Sequence, residues 1–227
     1  MALTVYAHAL TTLDRVKIRM GISVSTYDSA LKQLINEATD FIQQYCSRRF
    51  LETTYTSEVY SGGDGMKTKL YLNAAPVTSI SAFQERSGTP ASATWTDIDT
   101  SNWEGENPQI AITNVQLAYV SRIGAIKTYF YLTAGVNNYR VTYVAGYKID
   151  FGNEGTTGLT HTLPADLTGA CEQMVVQMYN SRTTAGVQSE SLGAHSVTWA
   201  DLLTEKNGEL NSVGQTLYRY KRPMYLD

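Results

Sequence analysis

His8, His161 and His195 are the only imidazoles in this chain of 227 residues, so acid–base or metal chemistry would have to be built around them. None has another His, a Cys or a carboxylate at metal-ligand spacing, and no HExxH, CxxC or HxH run occurs. A loop histidine is the simpler reading of each. Ser189 and Ser191 precede His195 closely, as a nucleophile and base could, but no GxSxG elbow surrounds them. Glu104 and Glu106 flank a glycine in NWEGENP. On a strand they would share a face as a carboxyl pair, yet an exposed hairpin tip explains them better. SGGDG at 61–65 lacks the GK[ST] ending and the following helix of a phosphate loop, and reads as a hairpin turn. No catalytic residue, cofactor site or metal ligand is therefore assigned; a non-enzyme without cofactors is expected.

Aromatic residues offer a binding chemistry instead. Sixteen tyrosines stand against five phenylalanines, and Trp95, Trp103, Tyr119, Tyr129, Tyr131, Tyr139 and Tyr143 crowd the middle of the chain. On a sandwich they could line a sugar-binding platform, although core and cross-strand pairing is the commoner use. The tail LYRYKRPMYLD alternates aromatic and basic residues, a pattern able to stack on and attract DNA. A solvated or partner-docking terminus is the more usual case.

These residues need elements to hold them. LDRVKIRM, with Thr11 or Thr12 before it and Gly21 after it, predicts a short helix over 13–20. A second helix starts at Asp28 or Ser29 and carries Leu31, Leu34, Ile35, Ala38, Phe41, Ile42 and Tyr45 on one face. From Thr53 the period becomes two, predicting strands at 53–60, 69–72, 78–85, 94–98, 109–113, 115–122, 126–132 and 138–146. Gly- and Pro-marked turns separate them, as in an antiparallel sandwich or barrel. Residues 151–162 read as a linker. After Pro164, Leu167, Ala170, Cys171, Met174, Val175 and Met178 recur at helical steps, predicting a long helix over 165–182. Residues 183–197 read as a polar loop of the kind that orders on a partner. A last helix is placed over about 209–218, bringing Leu210, Val213 and Leu217 together.

The expected fold is thus α+β: a small bundle of N- and C-terminal helices with an antiparallel β-rich segment inserted. Residues 1–52 and 160–227 would form the helical part and 53–159 the β part. The net charge of −3 argues against a dedicated duplex-DNA binder. No signal peptide and no membrane span of ~20 apolar residues is expected. Cys46 and Cys171, both on predicted helices, read as buried reduced thiols of a cytoplasmic product rather than a disulfide.

Several stretches, in this order, resemble the head-to-tail connector (adaptor) proteins of tailed bacteriophages. They are LTTLDRVKIRMGI (10–22), LINEATDFIQQYCSRRF (34–50), TSEVYSGGDG, LYLNAAPVTSI, VTYVAGY, LPADLTGACEQMVVQMYNSR and GVQSESLGAHSVTW. The resemblance covers 10–85 and about 138–200; residues 86–137 look like an added β-rich insertion. It implies a structural virion protein, made in the host cytoplasm and placed in the neck between capsid and tail. There a homo-oligomeric ring, commonly dodecameric, would dock beneath the portal protein. Genomic DNA would pass through its lumen without sequence-specific binding, and tail-completion or stopper proteins would attach below. Portal docking is placed on Tyr218, Arg219, Tyr220, Lys221, Arg222 and Tyr225. An inter-subunit or tail-side role falls to Gln188, Ser189, Glu190, Ser191 and His195. The alternative is a carbohydrate- or receptor-binding module of a phage tail or baseplate.

Overall fold

The computed structural model describes residues 4–106, 124–152, 161–181, 189–192, 195–198, 203 and 211–222. They form an α+β structure of four helices and antiparallel sheets, the helices coming from both ends of the chain. Two compact units divide it: residues 1–48 with 148–221, and residues 49–147 with 222–227.

The first unit is helical. In α1, Leu13–Met20, Thr12 caps the start by accepting from the Arg15 N–H, and Gly21 closes the end at φ 67°. In α2, Asp28–Cys46, the closing residue is Ser47, held left-handed at φ 52° without a glycine. α2 buries Leu31, Ile35, Ala38, Ile42 and Cys46, together with the polar Asn36 and Thr39. The expected apolar face is therefore rotated: Leu34, Phe41 and Tyr45 lie half-buried on its flank. Asn36 and Thr39 face inward because the N-terminal segment lies on them. Asn36 accepts from the Tyr6 N–H at 2.9 Å and donates to the Thr4 carbonyl at 3.0 Å, while Thr39 accepts from the Leu10 N–H. α3, Ala165–Ser181, packs on α1, α2 and α4 through Leu167, Ala170, Cys171, Met174 and Val175. α4 spans Ser212–Tyr220 and begins later than expected. Asn211 sets the start, its side-chain oxygen accepting from the Gly214 N–H at 2.9 Å. Its buried stripe is Val213, Leu217 and Tyr220; Leu210 lies outside the described residues.

The second unit is built on β7, Tyr139–Ala145, whose alternate residues Tyr139, Val141, Tyr143 and Ala145 are all buried. One sheet runs β1-β7-β3-β4, where β1 is Thr53–Tyr60, β3 Val77–Ser87 and β4 Thr94–Asp97. A second runs β2-β6-β5, where β2 is Lys69–Leu72, β6 Gly124–Thr128 and β5 Trp103–Glu106. Leu70, Leu72 and Ile126 of the second sheet share one core with Phe83, Val141 and Tyr143 of the first. At the bulges in β3, hydroxyls replace lost ladder bonds: Thr78 Oγ1 donates to the Val144 carbonyl and Ser81 Oγ to that of Thr142, both at 3.1 Å.

Three expectations change. β5 was expected as an exposed tip, and Gly105 with two carboxylates hides its pairing to β6. β6 ends at Thr128 rather than 132, because Leu132 turns to donate its N–H to the Lys67 carbonyl at 2.8 Å. Within the expected loop 183–197, β8 (Ser189–Leu192) and β9 (His195–Thr198) form an antiparallel hairpin. The strands expected at 109–113 and 115–122 lie outside the described residues.

Candidate functional site

The end of α4 holds most of the tail residues singled out for docking. Tyr218 is 53% exposed. Arg219 instead turns to Asp166 in the first turn of α3, 3.3 Å away. Tyr220 is buried, and its hydroxyl donates to the same carboxylate. Helical spacing explains this: Val213, Leu217 and Tyr220 share one stripe, so the alternating aromatic and basic pattern splits between inside and outside. Lys221 sits 5.2 Å over the ring of Tyr45 on α2, a cation–π contact. Burial, then the neighbouring Cys46 and Tyr218, raise the Tyr45 phenol above its ordinary value. Arg222, in the second unit, donates to Asn73 Oδ1 at 2.9 Å. Tyr225 lies outside the described residues. The resulting surface in the first unit is aromatic with a cationic rim: Tyr218 exposed, Tyr45 and Phe41 half-buried, Lys221 above.

Of the second group, Ser189, Glu190, Ser191 and His195 fall on the β8–β9 hairpin, and Gln188 lies outside the described residues. The register pairs Ser191 with Ser196 and Leu192 with His195, so neither serine stands opposite the imidazole. His8 stacks on Tyr6 at 4.9 Å. His161 is buried; its Nδ1 accepts from the Asp150 N–H at 2.9 Å and its ring lies 4.9 Å from that of Phe151. No group of three or more His, Cys, Asp or Glu among the described residues could hold a metal ion. Glu104 and Glu106 do not act as a pair with each other. Each meets a lysine across the sheet, Lys127 at 2.9 Å and Lys69 at 2.8 Å. Lys127 holds the Glu104 carboxyl below its usual range.

The aromatic platform is not assembled from the expected residues. Tyr139 and Tyr143 are core residues, Trp103 packs edge-on against Phe83, and Trp95 lies 4.6 Å beneath the Arg140 guanidinium. Tyr129 and Tyr131 are exposed, and Tyr119 lies outside the described residues. An open groove of about 640 Å³ runs beside β3, with Asp97, Asp99 and Trp103 in its walls. Its carboxylates are engaged locally: Asp97 accepts from Gln84 at 2.7 Å, and Asp99 from the Ser101 N–H and hydroxyl.

Two clusters escaped the sequence reading. Glu172, on α3 amid apolar neighbours, is 8% exposed and accepts from Arg15 Nε at 2.9 Å and Thr11 Oγ1 at 3.3 Å, with Arg19 at 3.4 Å. In the second unit, Glu58 accepts from Tyr60 at 2.5 Å and Tyr143 at 2.8 Å, and these phenols accept from the Asn73 and Ala74 N–H groups. Burial is the main cause that pushes both phenols well above their ordinary value. Each cluster joins residues more than ten positions apart, so no local spacing announces it. Both fix backbone in place; neither sets a nucleophile against a base.

No curated protein matches the chain. Solved structures that it matches include a chain from the neck of an empty gene transfer agent particle, computed with C6 symmetry. It is 14% identical, with 94% of this chain and 90% of that chain covered, at a TM-score of 0.47. A chain from the virion of a native gene transfer agent particle is also 14% identical, with 100% and 96% covered, at a TM-score of 0.49. Such distant likenesses carry no argument about function. Residues 10–102 match the family described as phage gp6-like head-tail connector protein. That stretch holds α1, α2 and β1 to β4, so the similarity to the phage gp6-like head-tail connector family lies in the N-terminal part of the chain.

Proposed function

We propose that the chain is a structural neck protein of a phage-like virion, docking as a closed homo-oligomeric ring beneath the portal. The ring would extend the DNA channel and offer its far side to tail-completion proteins. The family match over residues 10–102 carries this reading. The chemistry found at the two clusters, structural rather than catalytic, supports it. A net charge of −3 suits a channel that passes DNA without gripping it.

The portal-facing surface is the end of α4, with Tyr218 as its exposed aromatic anchor and Lys221 as its charged rim. Deleting 218–227 would be a poor test, because it also removes the buried Tyr220 and its bond to Asp166. The better variant is Tyr218→Ala with Lys221→Glu, which leaves the buried stripe of α4 intact. Full-length protein carrying both changes should bind portal particles at least ~10-fold more weakly, as loss of an anchor of about 1.4 kcal/mol or more requires. Unchanged binding in a co-sedimentation assay would reject this docking surface.

A further inference from the structure

We draw no further inference here: the strongest candidate, the open groove of about 640 Å³ beside β3 with Asp97, Asp99 and Trp103 in its walls, rests on two exposed carboxylates that already accept from Gln84 and Ser101, and nothing in the structure shows what would fill it.

Discussion

Glu172 sits 8% exposed among the apolar residues of α3, with Thr11, Arg15 and Arg19 turned toward its carboxylate. The two guanidiniums are about a third exposed, at 35% and 34%, so they keep access to water that the carboxylate has given up. Removing the acid therefore strands less charge than breaking a fully buried pair would. Glu172→Ala should lower stability by about 1–3 kcal/mol in urea unfolding, chiefly through the lost charged hydrogen bonds. A double-mutant cycle with Arg15→Ala should show the two changes to be non-additive, since both report one interaction. Additive losses would mean that Glu172 acts through packing alone.

At the scale of elements, two glycines of the chain's central stretch have opposite roles. Gly146 follows β7 at φ 114°, its N–H donating to the Pro76 carbonyl, and a Cβ there would lie 2.7 Å from the Leu51 carbonyl oxygen. Both the backbone angle and the clash oppose a side chain, so Gly146→Ala should destabilise by roughly 1–3 kcal/mol or more. Gly169 lies inside α3, and nothing stands within 4 Å of where its Cβ would be. Gly169→Ala should raise stability by about 0.5–1 kcal/mol through helix propensity and a stiffer unfolded chain. Melting curves of the two variants should move in opposite directions. The sequence offers no way to tell these glycines apart, because the difference lies in φ and in a neighbour almost a hundred residues away.

For the molecule as a whole, both units bury groups that must keep their protons. In the helical unit, burial pushes the Cys46 and Cys171 thiols from 9.0 to about 12. In the β unit, burial raises the Tyr60, Tyr139 and Tyr143 phenols above 10.0. With folded values above unfolded ones, the unfolded chain loses protons first as pH rises. The contribution to stability is complete below about pH 9 and declines from there through about pH 12 for the thiols, while the phenols begin to weaken the fold near pH 10. Urea midpoints should therefore fall continuously above about pH 9. Replacing both cysteines with Ala should remove the earliest part of the slope, and a flat profile to about pH 12 would contradict the burial of these groups.

What the chain settles by itself is local. Thr12 and Gly21 bound α1, Pro164 opens α3, and the 3.6-residue and two-residue periods separate helices from strands, because capping, backbone φ and hydrophobic spacing act within a few residues. The order of connector-like stretches likewise lies in the sequence, and residues 10–102 match the head-tail connector family model. Tertiary structure decides whatever depends on partners far along the chain. It turns Asn36, Thr39 and Glu172 inward because the N-terminal segment and α1 supply their bonds. It makes WEGE a strand because β6 lies beside it, and it sends Tyr220 inward while Tyr218 stays out.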